Sequence, residues 1–358
     1  MFLQIEKKEL IRNFLVSENL ILRVNNDFEL FKNEVFISDK VLDNSYENFK
    51  EKIIYSDKTG TWIDKNKFEN LSYLKNSKDL RNETIIFSGD FKLDYPNFSN
   101  KYYLYNLKTR EKKFLLKFKN LFYFFRKNTF LFFSDKIKIY SFIISDDAFV
   151  WQFNLETLGK FEDRDGNLQN YEVLKFIGAW QNSILVACSG QLVLDINSNT
   201  GELNRKWQAL PGYGSSAFQG RLQHKIPSTD GFQLDISKSY LYHLAGAYIV
   251  TIDLVTGKAD YQSLKNALEE HVFSGFRWST GYAEDETHIY TIAEMNRLKL
   301  GLDYIPQCIV AFNKKTLKID WHYRFEGDWI KTEIPQIANN KLYQLSGDNT
   351  LYIFKKEE

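Results

Sequence analysis

Cysteine is scarce in this 358-residue chain: Cys188 and Cys308 are the only two, and they lie far apart. With no CxxC pair and no neighbouring histidine they supply neither a zinc site nor a redox couple, so two buried, inert thiols are expected. Charge of one sign is also lacking. The 47 Lys and Arg face 46 Asp and Glu, a net of +1, and overall charge therefore cannot hold the chain on nucleic acid or an anionic membrane. Long hydrophobic runs are missing too: residues 130–133 and 192–194 are strand-length, far short of the roughly 20 residues of a membrane helix. Residues 1–8 lack the basic-then-apolar pattern of a secretory signal, and a cytoplasmic setting is expected.

Recognisable catalytic chemistry is equally sparse. The five histidines, His224, His243, His271, His288 and His322, never stand as HxH or HExxH, so no metal site is legible locally. There is no GxSxG, and Gly212-Tyr213-Gly214 lacks the third glycine of a phosphate loop. Asp163-Arg164-Asp165-Gly166-Asn167 has the alternate carboxylates of a calcium loop, but Leu168 and Leu174 occupy the positions that need Gly and a bidentate Glu, which leaves a polar turn. No catalytic residue, cofactor site or metal ligand is expected.

What the chain does have is apolar and aromatic mass: 44% hydrophobic and 16% aromatic, with 30 Phe and 21 Tyr, enough to bury a sizeable core. It is arranged as short β-type runs separated by Gly, Asn, Asp and Ser turns, an all-β pattern. The turns recur. Asn106-Leu-Lys-Thr109-Arg110, Asp253-Leu-Val-Thr256-Gly257 and Asn313-Lys-Lys-Thr316-Leu317 are each followed, eight positions after the first residue, by an aromatic: Phe114, Tyr261 and Trp321. Asp195 to Trp207 reads as a longer variant, Asp57-Lys-Thr59-Gly60 to Trp62 as a shorter one, and Ser145-Asp146-Asp147 to Trp151 as a compressed one. An Asp or Asn opens such a turn by bonding the backbone ahead of it, and the later aromatic is expected to face the next sheet, as are Trp62, Trp207 and Trp321. A second hairpin is marked by Cys188-Ser189-Gly190, Leu244-Ala245-Gly246 and Leu345-Ser346-Gly347. Two hairpins per unit make four strands.

Stretches such as Ile249-Val-Thr-Ile-Asp253-Leu-Val-Thr-Gly257-Lys258 and Ile309-Val-Ala-Phe-Asn313-Lys-Lys-Thr-Leu-Lys-Ile-Asp-Trp321 resemble the outer hairpins of PQQ-like and WD40-like β-propeller repeats. The resemblance is clearest from about residue 100 onward and concerns architecture. With the six turns and the C-terminal unit counted, spacing gives seven units of about 51 residues, and a seven-bladed β-propeller of four-stranded antiparallel blades, one domain over residues 1–358, is expected. The C-terminal unit, residues 334–354, lacks a final strand, and a strand from residues 2–23 would complete it and close the ring. For PQQ enzymes the family implies a stacking Trp, a calcium site and often adjacent cysteines; this chain has no adjacent cysteines. Short helical insertions are expected at residues 263–271, capped by Ser263, and at 293–300.

Residues 101–138 carry eleven basic residues and two acidic ones, a net of +9 that leaves −8 for the rest, with twelve aromatics interleaved. Three readings are open: lysines solvating a blade whose aromatics point inward, a surface for an acidic protein, or a stacking-and-phosphate surface for nucleic acid. Composition also singles out Tyr213, Arg221, Arg277, Trp278, Tyr282, Glu284, Asp285 and Trp329 as partner-binding candidates, because aromatic and Arg residues in turn-rich segments often anchor interfaces. The expected function is binding of a macromolecule, a protein partner first, without catalysis. An immunity-type inhibitor that masks a toxin or effector is one form of it. The competing reading is an enzyme or small-molecule binder with an axial site, such as a carbohydrate-directed lyase or hydrolase.

Overall fold

The computed structural model describes residues 2–9, 99–106, 108–119, 123–163, 165–208, 231–235, 238–277, 282–325, 334–338 and 340–357; between residues 11 and 100 it describes the backbone of the strands and the side chain of Ile86. Among the described residues the chain forms eight antiparallel sheets with a main path of four strands each, the one at 273–324 carrying a fifth short strand, Ala283–Glu284, paired beside its second. They span residues 11–37, 46–69, 72–119, 123–154, 173–207, 233–263, 273–324, and 336–356 joined by Phe2–Lys8. One extra two-stranded hairpin, Lys160–Glu162 with Leu168–Asn170, stands apart from them.

These described sheets number eight, where spacing predicts seven units. The sheets at 11–37 and 46–69 each fit four strands into about half the assumed spacing. The Asp57–Gly60 turn joins the second and third strands of its sheet, whereas the turns at Asn106 and Asn313 join third and fourth. The seven units read from the turns and the C-terminal unit correspond to seven of these sheets, the Asp57 turn marking the one at 46–69; the additional sheet is the one at 11–37, where the spacing shows no recurring turn.

The last sheet has the expected completion. Phe2–Lys8 runs antiparallel along Leu351–Lys356, from Phe2 opposite Lys356 to Lys8 opposite Leu351, and supplies the fourth strand that the C-terminus lacks. The residue types account for each strand's position. In the sheet at 173–207 the second and third strands, Ser183–Cys188 and Leu192–Asn197, are buried almost throughout, while the outer strand Leu203–Trp207 alternates exposed and covered residues. A strand covered on both faces reads as a continuous apolar run, and one covered on a single face alternates.

Four of the turns between third and fourth strands share one design. The Oδ1 atom of Asn106, Asn197, Asp253 and Asn313 accepts hydrogen bonds from the backbone N–H groups two and three residues on. The N–H of the fifth residue, Arg110, Gly201, Gly257 or Leu317, then returns to the carbonyl of the first with φ between 56° and 77°. The variant at Asp195 therefore opens at Asn197, in the same register as the rest; Arg205 takes the position eight residues on, and Trp207 lies two beyond it.

The chain divides into two compact units: residues 1–41, 242–251 and 260–358 form one, residues 42–241 and 252–259 the other. The core of the first gathers Phe2, Tyr290, Ile309, Leu342, Tyr352 and Phe354, with Trp321 packed against it. Phe2 meets Tyr290 edge-on at 5.6 Å and Trp321 at 5.1 Å, so the N-terminal strand is tied by packing as well as by its ladder. In the second unit one cluster includes Phe132, Ile184, Val186, Leu194 and Ile196, and another Ile86, Tyr102, Leu116 and Phe133.

Inter-sheet aromatics behave as expected at Trp151, Trp207 and Trp321. Trp151 Nε1 donates to Ser198 O at 3.0 Å, and Trp207 Nε1 to Gly257 O at 2.8 Å, each reaching the turn of the following sheet. Phe114 differs: it stays 49% exposed and packs edge-on against Tyr103 of its own hairpin. Tyr261 likewise meets Tyr248 of its own sheet. Trp62 lies in a strand whose side chains are outside the described residues. The insertions are helices at Lys265–Glu269 and Arg297–Leu300. The first is preceded by Leu264 in the cap position, where Ser263 was expected, and residues 293–295 belong to the strand His288–Met295.

Candidate interaction surfaces

Four of the composition-based candidates, Tyr213, Arg221, Trp278 and Trp329, lie outside the described residues. The other four are tied into the fold. The Tyr282 phenol donates to Leu244 O at 2.6 Å and accepts from Leu244 N at 2.9 Å, a buried tie between two sheets of one unit. Arg277 Nη1 donates to Gln307 Oε1 at 3.3 Å and is half-buried. Glu284 pairs with Lys314 Nζ.

Asp285 is the centre of a polar network. Its carboxylate accepts from Tyr290 Oη at 2.6 Å, from Lys356 Nζ at 2.9 Å, and from the N–H groups of Thr287 and His288 at 2.8 Å each. Burial alone would raise its pKa, but these donors outweigh burial and hold the carboxyl well below the usual carboxylate range. The Tyr290 phenol is pushed up, by burial first and then by Asp285. On the same turn His288 Nε2 lies 2.9 Å from Asp320 Oδ2, and Asn313 Nδ2 donates to that same oxygen at 2.8 Å. These acceptors are spent on closing a turn and binding it to neighbouring strands.

Spacing held a signal for this network that escaped the composition reading. Asp285 and Tyr290 are five apart, as are Asp135 and Tyr140, where the phenol donates to Asp135 Oδ2 at 2.8 Å. Asp235 and Tyr240 repeat the spacing. The Asp163 loop is a closed polar turn: Oδ1 accepts from the N–H groups of Asp165 and Asn167, and Oδ2 from Gln169 Nε2. Among the described histidines, His271 and His322 pack edge-on at 5.1 Å. Burial, then the charge of His271, lowers the pKa of His322.

Two surfaces turn outward. The first is the connection 296–306, between the second and third strands of the sheet at 273–324. The corresponding connections at 135–137, 189–191 and 246–247 are a few residues long. Here Asn296 Oδ1 caps Lys299 N at 3.1 Å, Gly301 ends the short helix at φ 65°, Leu302 N returns to Arg297 O at 3.0 Å, and Arg324 Nη2 holds Tyr304 Oη at 2.8 Å. On this hydrogen-bonded frame Leu298 is 83% exposed, and Leu300, Tyr304 and Ile305 are exposed as well.

The second is the basic segment. It splits: Arg126, Lys127, Lys136 and Lys138 are half-buried, and Lys127 donates to Gln181 O while Lys136 lies 3.7 Å from Glu172. Lys101, Lys108, Arg110, Lys112, Lys113 and Lys117 are exposed on the outer hairpin of the sheet at 72–119. Of the interleaved aromatics Tyr102, Tyr105, Phe132 and Phe133 are buried, and Phe114 is exposed.

No protein-family model and no curated protein sequence matches the chain. Solved structures do. The chain is similar to Sqt1 of Saccharomyces cerevisiae, a WD40 propeller, at 10% identity with a TM-score of 0.57 over 100% of this chain and 98% of that one. It is similar to the computationally designed protein Ika8 at 10% identity with a TM-score of 0.56, covering 98% of each chain. BamB of Moraxella catarrhalis aligns at 12% identity over 99% of this chain and 100% of that one, with a TM-score of 0.45. At such identities the likeness to Sqt1 and Ika8 is one of fold: this chain has a β-propeller repeat architecture of four-stranded antiparallel sheets.

Proposed function

We propose that this protein is a non-catalytic, protein-binding β-propeller whose partner is engaged through the 296–306 connection. The observation that carries the reading is the combination of order and exposure there: Leu298, Leu300, Tyr304 and Ile305 stand outward on a hydrogen-bonded loop. Grouped apolar side chains on a surface mark interaction sites, and a frame that is already ordered loses little entropy on binding. The fold is one that serves as a protein-interaction scaffold, and a cytoplasmic setting is part of the proposal. An inhibitor that covers a toxin or effector is one form of this binding, supported by the same rigid loop.

The test is affinity capture of the full chain in its native host, with Leu298→Glu and Tyr304→Ala as paired variants. Truncating a central anchor costs about 2 kcal/mol or more, so retention of the specific partner should fall at least tenfold while the melting temperature stays within about 2 °C. Equal retention by both variants would remove the loop from the interface. In the inhibitor form, growth in the presence of the captured toxin is restored by the wild type and not by Leu298→Glu.

A further inference from the structure

The strand Lys112–Lys119 is the last of its sheet, and at eight residues it is the longest outer strand among the described ones. Among the described residues it pairs on one side only, with Ser99–Asn106. Its other edge carries backbone N–H and C=O groups that a further strand can use. A bulge between Phe114 and Leu116 lets both Leu115 and Leu116 be buried, which anchors the strand to its sheet. Around that anchor Lys112, Lys113 and Lys117 are exposed, Lys101 pairs across from Lys117, and Lys108 and Arg110 lie in the adjoining turn beside Glu111. Lys112 Nζ sits 4.6 Å from the centre of the Tyr103 ring. Phe114 at 49% and Phe149 at 55% exposure add apolar surface beside the lysines.

Lysines on an outer strand oppose pairing with a second copy, because two such edges would set lysine against lysine. The same charges favour an incoming strand rich in Glu or Asp, so the edge discriminates between partners by repulsion and attraction together. We propose that the outer edge of Lys112–Lys119 accepts an acidic, extended segment of a partner protein as a fifth strand. Main-chain hydrogen bonds hold the segment, and lysine–carboxylate pairs with contact on Phe114 select it. Single-stranded nucleic acid would use the same charge but not the backbone edge, and the rings it would stack on are packed edge-on against neighbours, Phe114 on Tyr103 and Phe149 on Phe133.

The proposal is tested on the full chain with four fluorescent probes in anisotropy titrations: a twelve-residue peptide alternating Glu with Thr and Val, the same peptide N-methylated at alternate residues, its Lys-for-Glu counterpart, and dT15. The expected result is saturable, salt-sensitive binding of the acidic peptide, at least tenfold weaker for the methylated and Lys forms. Binding should also be at least tenfold weaker for the variant Lys113→Glu/Lys117→Glu, whose melting temperature checks its folding. Amides of residues 112–119 should gain hydrogen-exchange protection. Equal binding of the methylated peptide means charge attraction without strand addition and overturns the proposal, as does tighter binding of dT15 or no binding of the acidic peptide. Leu298→Glu should leave the titration unchanged, so failure here and failure of the loop reading are read separately.

Discussion

Asp285 shows how a single carboxylate closes a turn and joins three strands. A hydrogen bond to a charged group contributes about 1.5–3 kcal/mol net, so Asp285→Asn should lower stability by roughly that amount, read from the urea midpoint. The pH dependence follows from its depressed pKa. Folding makes protonation harder, so the stabilisation is complete above the unfolded value of about 4 and drains as pH falls below it. The difference between wild type and Asp285→Asn should therefore be constant from about pH 6 to 8 and shrink below about 4; a difference independent of pH would remove the carboxylate's charge from the account. Tyr282→Phe, which strands a backbone donor and acceptor of Leu244, should cost about 1–3 kcal/mol in the same assay. The Asp–Tyr spacing was in the sequence at residues 135, 235 and 285. That the Tyr140 and Tyr290 phenols reach Asp135 and Asp285 was not, because the turn conformation decides whether residues five apart meet.

At the scale of elements, the turn that ends the third strand at Asn106, Asn197, Asp253 and Asn313 was the most legible feature, since its chemistry is local: the Asn or Asp side chain bonds the N–H groups two and three residues on, and the fifth residue takes positive φ. Leu317 occupies that place at φ 56°, a conformation that costs an L-residue about 1–2 kcal/mol relative to glycine. Leu317→Gly should accordingly stabilise the protein by about 0.5–1 kcal/mol, and a loss of stability would show that the leucine side chain contributes more than its backbone costs. Gly201→Ala should go the other way. Besides the positive φ, its Cβ would sit 2.6 Å from the Trp151 ring, and displacing that ring costs about 1–3 kcal/mol. Phe2–Lys8 was legible only as a strand somewhere within residues 2–23 that would complete the last unit. The ladder to Leu351–Lys356 and the burial of Phe2 identify it. Which aromatic faces a neighbouring sheet was not legible: Phe114 and Trp321 share one spacing, yet one is exposed and the other packed.

For the whole molecule, both cysteines are fully buried, and burial raises their thiols, Cys308 to about 12. Neither should react with a thiol reagent in the native state, and both should react at the rate of global unfolding in urea; rapid native-state labelling would mean local opening of the strands that hold them. The sequence by itself determined the four-strand unit, the turn chemistry and the inert thiols, because each depends on residues within a few positions of one another or on apolar runs. The tertiary structure decided the number of sheets, the role of Asp285 and Tyr282 as ties, and the exposure of Leu298 and of the Lys112–Lys119 edge. Those depend on which distant strands become neighbours, and pairing over long separations leaves no fixed spacing in the chain.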